Sequence, residues 1–165
     1  MHSHLIPGID DGVKSHEHSL VTIRKLMELG YEKFVTTPHI MSDTYPNTVP
    51  LIKEKLAALR EFLAANKVAV QVDAAAEYYL DEYTMDAVRG TEEMLTFGKN
   101  YLLFETNYLS EPLNLKDFIF NAASRGYQPV LAHPERYQYM TMEKAQDLID
   151  RGGLLQVNIL SLSGF

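Results

Sequence analysis

The chain has 165 residues, a net charge of −7 and 46% hydrophobic residues, enough for one domain with a sizeable core. The acidic balance argues against a duplex nucleic-acid binder, which needs a basic stripe. The absence of cysteine excludes disulfides, thiolate nucleophiles and zinc fingers and suits a reducing, cytoplasmic compartment, and no apolar run reaches the length of a membrane span.

His2-Ser3-His4 opens the chain. Two histidines one residue apart in a strand face the same side, and after the Pro7-Gly8 turn Asp10 or Asp11 can return toward the same point. Ser15 is an N-cap, and Leu20, Ile23, Leu26, Met27 and Leu29 form a helical stripe that stops at Gly30; His16 and His18 read as surface residues. Residues 34–37 form a strand ending at Pro38-His39, and residues 40–50 a loop. A second helix carries Leu51, Leu56, Leu59, Phe62 and Leu63 and ends near Asn66. Residues 68–76 read as one strand ending at Glu77, residues 82–88 as a short helix stopped by Gly90, and residues 101–104 as a buried strand ending at Glu105. A helix over 115–124 stops at Gly126, and a strand over 129–132 ends at His133. A helix over 142–149 stops at Gly152, and a last strand covers 154–159.

Helices closed by glycine and followed by apolar strands favour a parallel sheet. Continuous apolar strands are buried on both faces, which makes the sheet barrel-like, and no linker divides residues 1–165. His39, Glu77, Glu105 and His133 each follow the C-terminal end of a predicted strand, the face of an α/β barrel that carries the site. With His2, His4 and Asp11 they make seven metal-competent side chains on one rim. Imidazole and carboxylate suit zinc, manganese or iron. Tyr45, Tyr78, Tyr79, Tyr108 and Tyr137 fall on the rim loops, where each either stacks on an aromatic ester or covers the core, the second for at least half of them. Arg136 offers a planar fork for phosphate or a surface ion pair with Glu135. The absence of a Gly-x-x-x-x-Gly-Lys loop argues against an NTPase.

The boxes His2-Ser3-His4, Asp10-Asp11-Gly12, Thr37-Pro38-His39, Ala76-Glu77-Tyr78-Tyr79, Leu103-Phe104-Glu105 and Ala132-His133-Pro134-Glu135-Arg136 resemble the polymerase and histidinol phosphatase (PHP) superfamily. They are most similar to its bacterial manganese-dependent protein-tyrosine phosphatase branch of capsule and exopolysaccharide biosynthesis. The resemblance implies a distorted (β/α)7 TIM-like barrel and two to three divalent metals, manganese first and iron or zinc as alternatives. It implies His2, His4 and a bridging Glu77 on one metal, Glu77, Glu105 and His133 on the second, and Asp11 and His39 on the third. It also implies that Asp11, His133 and Arg136 act in catalysis, Arg136 by binding the substrate phosphate. The implied substrate is a phosphotyrosine protein, and a tyrosine kinase of polysaccharide synthesis is an expected partner. A histidinol-phosphate-type phosphatase, a nuclease of the same superfamily, which the acidic balance disfavours, and an inactive metal-binding module are the alternatives.

Relatives place an Asp two residues before the first histidine and carry a terminal Asp-x-His. Here only Met1 precedes His2, and the sequence runs to Gly164-Phe165 without that motif. The expectation is therefore an incomplete barrel that fills its second metal site first and its third last, and that associates with itself or a partner. Asp10, Glu135 and Asn158 are the first candidates to stand in for the absent ligands.

Overall fold

The computed structural model describes residues 2–163; Met1 and Gly164-Phe165, on which the expected chain ends rest, lie outside the described residues. The protein is a mixed α/β chain with parallel sheets, arranged as two compact units, Met1–Ala76 and Glu77–Phe165.

In the first unit, α1 spans His16–Glu28, β1 Lys33–Thr36, β2 His39–Ile40, α2 Val49–Ala65 and β3 Gln71–Ala74. Ser15 caps α1 by accepting from the His18 amide, and Thr48 caps α2 by accepting from Leu51. Pro50 sits in the first turn of α2, where its missing N–H costs nothing. Gly30, at φ +93°, ends the α1 segment in the left-handed region open to glycine. Ile52, Leu56, Leu59 and Leu63 form the buried stripe of α2, spaced at the helical period of a core-facing surface. β1 and β3 pair in parallel from Lys33↔Gln71 to Thr36↔Ala74. His16 is half-buried rather than at the surface, its ring 5.0 Å from Phe62, whereas His18 is exposed.

The opening segment lies beside the end of β1 without a regular ladder. The Thr36 hydroxyl donates to the Ser3 carbonyl at 2.9 Å and accepts from the Leu5 amide at 2.9 Å, and the Thr37 amide donates to the Ser3 carbonyl. Threonine side chains thus do what strand amides would do, and His2 takes a left-handed φ of 59°.

Residues 68–76 are not one strand reaching Glu77. β3 ends at Ala74, and Glu77 instead opens β4, Glu77–Tyr79, which starts the second unit. The intervening Ala75 and Ala76 are fully buried, and the Ala75 amide donates to the Thr36 carbonyl at 2.9 Å. Two methyl side chains let the chain leave one pairing and enter another in a closed-packed environment. His39 likewise opens β2 instead of trailing β1, because Pro38 lacks the amide that would continue a ladder.

The second unit continues with α3 Glu82–Arg89, β5 Tyr101–Glu105, α4 Leu115–Ser124, β6 Gln128–Ala132, a 3₁₀ turn Pro134–Arg136, α5 Met142–Asp150, β7 Leu154–Gln156 and the short α6 Ile159–Leu162. Its strands run parallel in the order β4-β5-β6-β7. β5 and β6 are buried almost throughout, the pattern of strands covered on both faces. The last strand is shorter than residues 154–159, because Glu135 accepts from the Asn158 amide at 3.2 Å and the Ser161 hydroxyl at 3.0 Å and turns the chain into α6. No helix among the described residues is long and apolar enough to cross a membrane.

Candidate functional site

Each unit gathers its own set of metal-competent side chains. In the first, His4, Asp11 and His39 each offer a ligand atom, all within 4.8 Å of one another. The His4 and His39 rings lie 4.6 Å apart, Asp11 Oδ1 is 3.4 Å from His39 Nε2, and His2 lies 5.6 Å from His4 between ring centroids. Tyr45 stacks on His39 at 5.4 Å.

The turn that carries Asp11 is built around Asp10. Asp10 Oδ2 accepts from His4 Nδ1 at 2.7 Å and from the His39 amide at 3.1 Å, and Oδ1 accepts from the Gly12 amide at 2.9 Å. Burial alone would raise the Asp10 pKa. The hydrogen bond and charge of His4, then the Gly12 and His39 amides, outweigh it and hold the carboxyl below its usual value. An ionised carboxylate only accepts, so His4 carries its hydrogen on Nδ1 and its Nε2 is the nitrogen suited to a cation. A carboxylate on the far ring nitrogen is the pairing that orients histidine ligands at metal sites. Gly12 is required for closeness: a Cβ there would stand 2.3 Å from His4 Cβ and 2.5 Å from the His4 carbonyl. Asn47 ties the two strands of donors together by donating to the Ile9 and His39 carbonyls, both at 2.8 Å.

In the second unit, Glu77, Glu105 and His133 form a buried cluster, each at most 4% exposed. His133 Nε2 is 3.0 Å from Glu77 Oε1 and 3.6 Å from Glu105 Oε2. Glu77 opens β4 opposite Leu103, Glu105 ends β5 two residues further along the same face, and His133 directly follows β6, so the three side chains converge from different levels of the parallel strands. His133 sits in the left-handed region (φ 33°, ψ 57°), and its amide donates to the Gln156 carbonyl at 2.7 Å. Burying a carboxylate costs several kcal/mol per ion. Two carboxylates and an imidazole converging in a buried place make a donor set of the oxygen and nitrogen type that a divalent cation would fit.

The 3₁₀ turn after His133 presents Arg136 at the surface, near enough to the Tyr108 hydroxyl to favour its ionised form against the larger opposing effect of burial. Glu135 serves the start of α6, and Asn158 Oδ1 accepts from Gln156 at 3.1 Å. Asp10, Glu135 and Asn158 thus all have structural hydrogen-bonding roles.

The rim tyrosines divide. Tyr78 and Tyr137 are core residues, their hydroxyls accepting from the Leu95 and Thr106 amides, and burial raises the pKa of both. Tyr45 and Tyr79 are half-buried, and Tyr108 is exposed. The residue that sequence reasoning undervalued is Asp10. The only signal was the Asp-Asp-Gly run, which announces a turn but not which carboxylate faces inward.

Known proteins share the sequence family and the fold of this chain. A family model described as "Capsular polysaccharide synthesis, CpsB/CapC" matches residues 1–165. CapC of Staphylococcus aureus is 25% identical over 166 residues, covering 99% of this chain and 65% of that protein. The tyrosine-protein phosphatase CpsB of Streptococcus pneumoniae is 28% identical over 168 residues, covering 99% and 68%. A solved structure described under "YwqE from Bacillus subtilis and CpsB from Streptococcus pneumoniae, unique metal-dependent tyrosine phosphatases" superposes with a TM-score of 0.90 at 23% identity, over 99% of this chain and 67% of that one. The chain therefore spans 65% of the length of the first of these relatives.

Proposed function

Because the chain belongs to the capsular polysaccharide synthesis CpsB/CapC family, we propose that it is a metal-dependent phosphatase acting on phosphotyrosine proteins. Residues 1–165 serve as one metallophosphatase domain in this reading, which the full-length family match supports. The observation that carries it is the buried Glu77–Glu105–His133 cluster, followed within one turn by the exposed Arg136.

The proposed ligands are His2, His4, Asp11 and His39 from the first unit and Glu77, Glu105 and His133 from the second. The donor set fits two to three divalent cations, manganese first. Such cations supply Lewis acidity and ionise water near neutral pH. The chain's own residues do the rest. Asp10 fixes the His4 tautomer, and the buried ends of β4, β5 and β6 hold the two glutamates close to His133, so little reorganisation is left to binding. Arg136 takes the phosphate oxygens through two parallel N–H donors. Asp11, exposed and beside His39, is the catalytic candidate of the first unit, and His133 that of the second. The proposed setting is cytoplasmic, with a tyrosine kinase of polysaccharide synthesis as the enzyme that supplies the substrate and with self-association of the chain as a further expectation.

The test is turnover of phenyl phosphate by chain loaded with manganese, alongside Arg136→Ala and a metal-stripped sample. We expect turnover that is lost on stripping, and at least a tenfold fall in kcat/KM for Arg136→Ala with bound metal unchanged. Metal bound tightly without any turnover would identify an inert metal-binding module, and metal loss in Arg136→Ala would make that residue structural.

A further inference from the structure

The loop that follows β5 holds one aromatic ring in a defined pose beside the cluster. Asn107 Oδ1 accepts from the Leu109 amide at 2.7 Å and the Ser110 amide at 3.3 Å, closing a turn around Tyr108. The Tyr108 carbonyl accepts from the Gln138 amide at 2.8 Å. Two residues earlier, Thr106 is anchored twice: its amide donates to the Tyr137 hydroxyl at 3.3 Å, and its hydroxyl bonds Tyr139 at 2.6 Å. The Tyr137 hydroxyl in turn donates to the Ala132 carbonyl at 3.0 Å, directly before His133.

The Tyr108 backbone is therefore fixed from both sides, although its side chain is among the exposed large apolar groups. Its ring meets His133 edge-on, with centroids 5.9 Å apart at 83°, and lies 5.6 Å from Tyr137. Arg136 lies near enough to act electrostatically on the Tyr108 hydroxyl. A surface tyrosine that only covered the core would need none of this bracing. The neighbouring Leu109 and Leu113 are also exposed, so the apolar surface extends along the loop.

We infer that Tyr108 is a specificity-determining residue, its braced ring receiving the aromatic group of an aryl phosphate whose phosphate is held by Arg136. This rests on the proposed role of Arg136 as the phosphate ligand. With Arg136 near the Tyr108 hydroxyl, an ester whose phosphate sits on the guanidinium has this ring within reach of its leaving group. Aromatic pairing in an edge-to-face or offset arrangement is worth roughly two- to tenfold in affinity beyond simple burial. That is the size of preference expected for an aryl over an alkyl ester.

The experiment uses manganese-loaded full chain as wild type, Tyr108→Leu and Tyr108→Phe. Two readouts are taken: the ratio of kcat/KM for phenyl phosphate to that for glycerol phosphate, and the ratio of calorimetric affinities for phenylphosphonate and methylphosphonate. Wild type should favour the aryl member in both. Tyr108→Leu should lower both ratios by roughly two- to tenfold, chiefly through KM, and Tyr108→Phe, which keeps the ring, should restore most of the preference. An active wild type whose two ratios survive unchanged in Tyr108→Leu overturns the inference and leaves the phosphatase reading standing. Phosphonate binding without turnover of either ester overturns the phosphatase reading while the affinity ratio still decides on Tyr108. A wild type that binds neither phosphonate overturns both.

Discussion

Replacing Asp10 by asparagine tests the electrostatic frame of the first unit. In the wild type three donors converge on this carboxylate: His4 Nδ1 and the His39 amide on Oδ2, and the Gly12 amide on Oδ1. Asparagine presents one oxygen and one NH2 in the same place. With the oxygen toward His4 and His39, the NH2 faces the Gly12 N–H, and a partly buried amide loses its acceptor at about 1–3 kcal/mol. The His4 contact also changes from a charge-assisted bond to a neutral one of about half the strength, a further loss of about 1 kcal/mol. The opposite orientation strands two donors and is worse. A third solution moves the His4 hydrogen to Nε2, which rescues the contact but removes the nitrogen suited to a metal. The expected result is about 2–4 kcal/mol of lost stability in denaturant unfolding of metal-free chain, with manganese affinity lowered about 10- to 100-fold, as for other partners of metal-bound histidines. Stability within about 0.5 kcal/mol of wild type together with unaltered manganese affinity would refute the reasoning and show that His4 is held by other means.

Two further outcomes follow from the second unit. Glu77→Gln should release more metal than Glu105→Gln, because Glu77 is fully buried and stands 3.0 Å from His133 against 3.6 Å for Glu105; equal loss on metal counting would remove Glu77 from its leading place. Hydrogen bonds from Arg151, then from Lys116, hold Asp147 down at about 2. Its folded pKa lies below the unfolded value of about 3.9, so the stabilisation is present above that pH and is lost as pH falls through about 2. The Tm gap between wild type and Asp147→Asn should be open at pH 6 and close between about pH 4 and 2; a gap of the same size at both ends would point to packing instead of charge.

Much of the framework was readable because its signals are local. Ser15 and the left-handed Gly30, Gly126 and Gly152 mark helix ends by chemistry that acts within one turn, so the helices over 16–28, 115–124 and 142–150 lie close to where the pattern puts them. The break between Ala74 and Glu77 was not readable. Residues 68–76 alternate and branch as a continuous strand does, and the change of pairing at two buried alanines depends on neighbours distant in sequence. The same limit hid the role of Asp10. Asp10 and Asp11 are identical letters side by side, and only the fold decides that one is enclosed by three donors while the other faces outward. Among the tyrosines, composition could not tell Tyr78, which fills the core, from Tyr108, which stands braced at the surface.

The backbone at His133 has an evolutionary consequence. A side chain at φ 33° is one that glycine or asparagine would bear at lower cost. That backbone cost is of order 1–3 kcal/mol, whereas withdrawing the imidazole from between the buried Glu77 and Glu105 costs about 3–5 kcal/mol. Histidine at this position is therefore held by the two glutamates, and a lineage in which both were replaced by apolar residues would be free to exchange it for glycine or asparagine. The order in which the three positions change in such a lineage would measure how far the imidazole depends on its acidic neighbours.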